Sequence, residues 1–200
     1  MNVLIIPEDC RKDESVLLPI IKAMMVAIGK PNAKVKVCTD PRLEGISHAL
    51  KLEKIQPILE RYGMIDLFVL CVDRDGKEYR HAELANLTKE AKKILAEKHQ
   101  INRCQFIAEC AWQELEVWIL AGQNDLPKNW SWKEIRAEVD PKEKYFDVYV
   151  KQRSLQQAPF QGRKILAVEA AKRYDRIRQR CPEDIQRLEK NIREWCDRIG

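Results

Sequence analysis

The strongest constraint on the fold is the apolar run at residues 65–72, with the sequence IDLFVLCV. Asp66 is its only polar residue, and an uninterrupted apolar stretch such as residues 67–72 is typical of a strand that is buried in a parallel sheet. It ends abruptly at Asp73-Arg74-Asp75-Gly76, a motif of charged residues closed by a glycine. The run is therefore the clearest strand signal in the chain, and an acidic motif follows it directly.

Strand and helix patterns alternate through the first part of the sequence. Further strands are predicted over residues 2–6, 33–38 and 104–108, and helices over about 13–29, 46–62, 81–98 and 112–121. Strands that alternate with helices at this spacing indicate right-handed βαβ crossovers. We therefore predict an α/β, Rossmann-like fold with a mostly parallel four-stranded sheet flanked by helices.

The pattern changes after Gly122, which divides the predicted organisation in two. Residues 1–122 form an α/β domain, and residues 123–200 form an α-helical extension packed on it. Helices are predicted over about 162–180 and from Pro182 onward. The last helix carries an apolar stripe that must pack against another surface, which leaves room for a partner protein or a homodimer. The stripe consists of Ile185, Leu188, Ile192, Trp195 and Ile199.

The charge of the chain is uneven. Residues 1–141 contain 21 basic and 22 acidic side chains, whereas residues 142–200 contain 15 and 9, so the net charge of +5 comes from the extension. A basic surface beside an acidic cleft suits an anionic polymer or another phosphate-bearing partner. The alternative is that these side chains only solvate long helices.

Composition points to an intracellular protein outside the membrane. No apolar run approaches the roughly 18 residues of a membrane span, and the start of the chain is predicted to be a first strand rather than a signal peptide. The seven cysteines show neither zinc spacing nor an even disulfide pattern. We therefore expect free thiols and a cytoplasmic location.

Acidic residues follow two of the predicted strands. Glu8 comes after the first strand, and Asp73 and Asp75 come after the third. Ligands of parallel α/β sheets bind at the carboxyl ends of the strands, and a crossover can bring two such ends together. Gathered carboxylates repel one another unless they share a cation, and hard oxygen ligands select Mg²⁺ or Mn²⁺. If the backbone stays extended, Asp73 and Asp75 face the same ion.

With these motifs the chain resembles the Toprim superfamily of topoisomerase–primase catalytic domains. The resemblance rests on a strand ending in Glu8, a helix, and a later strand ending in Asp73 and Asp75. The chain looks most similar to the small DUF4276 and RloB-like Toprim proteins found among bacterial anti-phage genes. Glu116-Val117-Trp118 matches their acidic residue before an aromatic one. The family's usual Glu-Gly is Glu8-Asp9 here, and the next acid is best matched by Asp13.

The resemblance implies metal-dependent phosphoryl transfer on DNA or RNA, as in a nuclease, with an ATPase partner in some members. Glu8, Asp73 and Asp75 would hold the metal, Glu8 doubling as a candidate general acid or base. Glu116 would complete the acidic rim and Asp13 would be a secondary acid. Phosphate groups need cations. The candidates are Lys151, Arg163 and Lys164.

Other functions share parts of this pattern. A haloacid dehalogenase-like phosphatase uses a similar Asp-x-Asp motif but places it on the opening strand. A receiver domain pairs the same strand ends but needs a lysine after a fifth strand. The main alternative is a non-catalytic module of a defence complex that binds metal or nucleic acid. For His48, His81 and His99 no role is predicted.

Overall fold

The central sheet has the predicted topology. In this computed structural model, which describes residues 1–98 and 103–199, four strands form one parallel sheet with the order β2-β1-β3-β4. The strands are β1 (Asn2–Pro7), β2 (Lys34–Val37), β3 (Leu67–Asp73) and β4 (Gln105–Ala111). The α/β prediction with a parallel four-stranded sheet is confirmed. His99 lies outside the described residues.

Strand β3 lies inside the sheet, between β1 and β4. Val3 pairs with Leu67 in the β1–β3 register, and Leu67 pairs with Gln105 in the β3–β4 register. Residues 67–72 are buried without exception because helices cover both faces of the sheet. The long apolar run in the sequence follows from this double burial.

One layer of helices covers the face that carries Val3, Val69 and Ile107. It contains α1 (Glu14–Ala27), α5 (Glu116–Ala121), α6 (Trp132–Ala137), α7 (Asp147–Gln152), α8 (Arg163–Ala171), α9 (Tyr174–Arg180) and α10 (Arg187–Ile199). Short π-helical turns at Lys142–Phe146 and Pro182–Gln186 lead into α7 and α10.

The opposite face carries Leu4, Phe68 and Phe106. It is covered by α2 (Ile46–Ala49), α3 (Leu52–Arg61) and α4 (Arg80–Lys98). Alternate residues along the inner strands β1 and β3 therefore enter two separate cores. Both cores are apolar, which explains why residues 3–6 and 67–72 are apolar at every position rather than at every second one.

Three predicted helices were wrong in extent. The helix expected over 46–62 is broken between α2 and α3, where Lys51 is extended, whereas Pro57 is accommodated inside α3. The helix expected over 112–121 begins only at Glu116, because Gln113 has a left-handed backbone. The helix expected over 162–180 is interrupted at Arg173.

The chain on either side of the 122/123 boundary shares one hydrophobic core. At Gly122 an added Cβ would lie 2.5 Å from the Cα of Ala170, so glycine lets α5 and α8 approach this closely. The stripe on the last helix is buried at its first four positions, whereas Ile199 is 46% exposed. That stripe packs within the chain and does not supply a surface for a partner.

Asp184 connects the C-terminal helices to the sheet. It is fully buried and accepts hydrogen bonds from the backbone N–H of Trp112 (2.8 Å) and from the indole of Trp118 (2.6 Å). The guanidinium of Arg136 completes the set at 3.2 Å. A buried carboxylate is tolerated because every partner is a donor and one is a cation.

Asp184→Ala should therefore destabilise the fold severely, by about 3–5 kcal/mol, because it leaves the Arg136 charge buried without its main partner. Denaturant unfolding followed by circular dichroism measures the effect. Glu183→Ala is the matched control: its side chain is 46% exposed and also contacts Arg136. The control should cost less than about 1 kcal/mol. Equal losses in the two variants would contradict this role of Asp184.

Candidate functional site

Glu8 and Asp73 lie side by side at the carboxyl edge of the sheet. Glu8 follows β1, Asp73 ends β3, and these strands are neighbours. The backbone N–H of Asp73 donates to Oε2 of Glu8 at 3.4 Å. Burial raises the pKa of Glu8, and the charge of Asp75 raises it further. The parallel crossover thus brings together two acids that are 65 residues apart.

Asp13 and Glu116 join these two acids. Asp13 accepts the backbone N–H of Asp9 at 2.8 Å. Burial raises the pKa of Asp13 to about 7, with further contributions from the charges of Glu8 and Glu116. The pKa of Asp73 lies well above its usual range because of burial and because of Glu116, Asp13 and Glu8. Four carboxyl groups from separate segments therefore form one acidic site.

The loop between β4 and α5 shapes this site. The backbone N–H of Leu115 donates to Oδ1 of Asp73 at 2.8 Å. Glu116 begins α5 and is 7% exposed. Glu114 accepts the backbone N–H of Lys142 at 2.8 Å, and burial raises its pKa to about 7. Glu116 thus acts on Asp73 through its charge, whereas Glu114 is bonded to the segment that leads into α7.

Asp75 does not have the geometry expected from the sequence. Strand β3 ends at Asp73, and Asp75 is exposed with a left-handed backbone, φ 50°. The extended spacing that would aim Asp73 and Asp75 at one ion is therefore absent at these two residues. Asp75 instead acts on the site through its charge, which it places near Glu8. Arg74, between the two acids, stacks on the Trp112 ring at 4.1 Å.

Gln113 holds the turn that carries Asp75. Its carbonyl oxygen accepts the backbone N–H groups of Arg74 (2.8 Å) and Asp75 (3.2 Å), and its side-chain oxygen accepts that of Gly76 (2.9 Å). Gln113 is itself buried and left-handed, φ 74°. The sequence contains no local signal for this role, since the contact spans 37 residues.

The predicted phosphate-binding residues have different environments. Arg163 begins α8, is 4% exposed, and donates from Nε to Oε1 of Glu116 at 2.8 Å, with Nη2 at 2.6 Å. Its charge therefore neutralises Glu116. Lys164 and Lys151 are exposed. Arg80, at the start of α4, is a buried cation that the sequence analysis did not single out. Its charge lowers the pKa of Glu8, which opposes the increase caused by the burial of Glu8.

A second group of possible metal ligands lies beside the free edge of β4. Among residues 1–98 and 103–199, three ligand atoms of His, Cys, Asp or Glu come within 4.8 Å of one another only at His81, Glu109 and Cys110. Nη2 of Arg187 lies 2.5 Å from Oε1 of Glu109 and 3.1 Å from Nδ1 of His81. A guanidinium thus already supplies the positive charge to this group, which ties α10 to β4.

The acidic site offers the carboxylate oxygens that a hard cation prefers, but these oxygens are not tightly clustered. Within residues 1–98 and 103–199, the carboxylate oxygens of Glu8, Asp73 and Asp75 do not all lie within 4.8 Å of one another. Mg²⁺, however, keeps several waters and is commonly held through one or two carboxylates. Glu8 and Asp73 supply such oxygens, and their raised pKa values indicate unfavourable charge that a cation would relieve.

Comparisons with models of protein families, with curated proteins and with solved structures find no match for this chain. In the part of the chain that the structure describes, no helix combines the length and the apolar character that crossing a membrane requires.

The raised pKa of Asp13 predicts how stability depends on pH. Because the folded-state pKa of about 7 lies above the ordinary value of 3.8, the folded protein binds more protons between these values. Without metal, the free energy of unfolding should therefore fall as pH rises from about 4 to about 7. Asp13→Asn keeps an oxygen that can accept the backbone N–H of Asp9, but it cannot ionise. At pH 8 the free energy of unfolding of this variant should therefore be about 2 kcal/mol higher than that of wild type.

Denaturant unfolding in a chelating buffer at a series of pH values tests this. Glu109 and Glu114, whose pKa values burial also raises to about 7, contribute in the same direction in both proteins. The free energy of unfolding of Asp13→Asn should therefore still fall as pH rises, but less steeply than that of wild type. Parallel pH profiles for the two proteins would contradict the prediction.

Proposed function

We propose that the protein is a Mg²⁺- or Mn²⁺-dependent phosphoryl-transfer enzyme that acts on DNA or RNA, most simply a nuclease. One observation carries the proposal: Glu8, Asp13, Asp73 and Glu116 gather at the carboxyl ends of β1 and β3, with raised pKa values at the first three. Burying several like charges is costly, and a bound cation is the usual compensation. The sequence resemblance to Toprim domains supports the same chemistry.

Each residue has a distinct part in this proposal. Glu8 and Asp73 would hold the cation, and Asp75 would add negative charge from the turn beside them. A divalent cation in such a site polarises a phosphate and lowers the pKa of a bound water. Leu115 fixes the Asp73 carboxylate through its backbone N–H, and Gln113 fixes the turn. Arg163 holds Glu116 in place beside them through an ion pair.

The free thiols of all seven cysteines support action in the reducing cytoplasm. An ATPase partner and a homodimer stay predictions from the resemblance and from the sequence.

Metal binding should appear as thermal stabilisation. Saturating Mg²⁺ or Mn²⁺, at about 100 times its dissociation constant, should add roughly 2.7 kcal/mol to the stability of wild type. Asp73→Asn and Glu8→Gln should lose this gain. Asp175→Asn is the control, because that carboxylate is 78% exposed on α9. Stabilisation of wild type and the Asp73 variant by the same amount would refute the metal site.

Cleavage should depend on the same residues. Labelled single-stranded and duplex DNA and RNA, incubated with Mn²⁺, should be cut by wild type and by Asp175→Asn. Asp73→Asn should reduce the rate by at least about 100-fold, as expected when a catalytic cation is lost. Denaturing gels measure the products.

A non-catalytic metal- or nucleic-acid-binding role is the second candidate. The spacing of Glu8, Asp73 and Asp75, which exceeds that of a tight three-ligand set, favours it. Metal-dependent stabilisation without cleavage of any of these substrates would select this role over the nuclease.

A further inference from the structure

A strained aromatic turn lies next to the acidic site. The turn at Pro159–Gly162 precedes α8, and two of its residues, Phe160 and Gln161, are left-handed with φ of 56° and 53°. Side chains other than glycine occupy this region at a cost of roughly 1 kcal/mol each. Phe160 is nevertheless 49% exposed. Burial of its ring therefore does not explain why this conformation is maintained.

The conformation is held from the acidic site itself. Nη1 of Arg163 donates to the carbonyl oxygen of Phe160 at 3.3 Å and to Oε1 of Gln161 at 2.8 Å. The same guanidinium pairs with Glu116 through Nε and Nη2. One buried cation thus fixes both the acidic rim and the position of the exposed ring. Strain maintained by a network of this kind is characteristic of binding sites.

Phe160 forms part of a groove between α1 and α8. The groove has a volume of about 460 Å³, within the range of roughly 300–1,000 Å³ that small-molecule sites occupy. Its apolar wall consists of Phe160, Leu18, Pro19 and Val168. Val168 is 43% exposed, so the wall is open to solvent.

Cations surround this apolar wall. Arg11, Lys22 and Lys164 line the groove, against the single acid Glu14. Across the described ranges 1–98 and 103–199, none of these three cationic side chains is in an ion pair. Arg11 belongs to the same loop as Asp13, so the groove begins at the edge of the acidic site. An apolar, partly aromatic wall with unneutralised cations is complementary to a ligand with a flat apolar face and negative charge.

We propose that this groove binds single-stranded nucleic acid, with a base stacked on Phe160 and the adjoining phosphates on Lys164, Lys22 and Arg11. Base stacking on an exposed aromatic ring combined with cations along the backbone is how proteins bind single strands. A base paired in a duplex has its faces covered by neighbouring bases and cannot stack in this way. The inference rests on the proposed function and extends it, since it specifies that the nucleic-acid substrate is single-stranded where it enters the acidic site.

Binding of fluorescein-labelled single strands of about ten nucleotides, followed by anisotropy in EDTA, tests the proposal without using the metal site. Phe160→Ala should weaken binding about 10-fold, and Phe160→Trp should restore it, because stacking needs an aromatic face. Met64→Ala is the matched control, since Met64 is an 83% exposed apolar residue before β3, at the opposite edge of the sheet. Its affinity should equal that of wild type.

The charged side of the groove has its own control. Lys164→Glu should weaken binding and reduce the dependence of log Kd on log salt by about 1, as expected for one lost phosphate contact. Lys54→Glu changes the net charge equally but lies on α3, on the other face of the sheet. It should have little effect. Melting curves for all variants verify that each is folded.

The outcomes separate this inference from the proposed function. Equal affinity of wild type and Phe160→Ala, or equal losses in the two lysine variants, would overturn the groove as a single-strand site. The proposal would also be overturned if duplex bound with the same affinity as single strands and Phe160→Ala did not change that affinity. Binding of anionic lipid vesicles instead of single strands would overturn it as well. If no oligonucleotide binds in EDTA while Mg²⁺ still stabilises wild type through Asp73, the groove proposal fails and the metal site stands.

Discussion

The ion pair between Glu116 and Arg163 connects the sheet to the C-terminal helices. Both side chains are buried, 7% and 4% exposed, so removing either one would leave an uncompensated charge in the interior. The pair also determines the electrostatics of the acidic site, because Glu116 acts on Asp73 and Asp13. A guanidinium committed in this way is not free to bind phosphate. Its contribution to function is positional: it holds Glu116 on one side and the turn at Phe160 on the other.

The sheet was predictable from the sequence because its signals are local. Residues 67–72 of β3 are apolar at each position, and a strand that is buried on both faces can be predicted from such a run without any tertiary information. Breaks in the helices were less predictable. Lys51 and Arg173 interrupt helices without a nearby glycine or proline to signal the break. The break at Gln113 depends on tertiary contacts, since Gln113 bonds to a turn 37 residues earlier in the chain.

The acidic site shows the same division between local and distant information. Glu8 and Asp73 could be paired in advance because crossover geometry places the ends of neighbouring parallel strands together. The backbone of Asp75 could not be predicted, because Gln113 and not the Asp-x-Asp spacing determines it. Asp184 was visible only as an acid at a helix start. Its actual role is to accept hydrogen bonds from Trp112 and Trp118, which are at least 66 residues away in the sequence.

The uneven charge of the chain is a weaker guide to its ligand than the arrangement of individual cations. Many arginines in the basic extension are neutralised within the fold: Arg153 pairs with Glu169, Arg163 with Glu116, and Arg187 with Glu109. A count of charges along the sequence therefore overstates the positive surface of the extension. Two of the groove cations that make no ion pair within residues 1–98 and 103–199, Arg11 and Lys22, come instead from the nearly neutral residues 1–141. The proposed anion-binding surface is thus built across the apparent boundary between a neutral domain and a basic extension, in the same way as the acidic site.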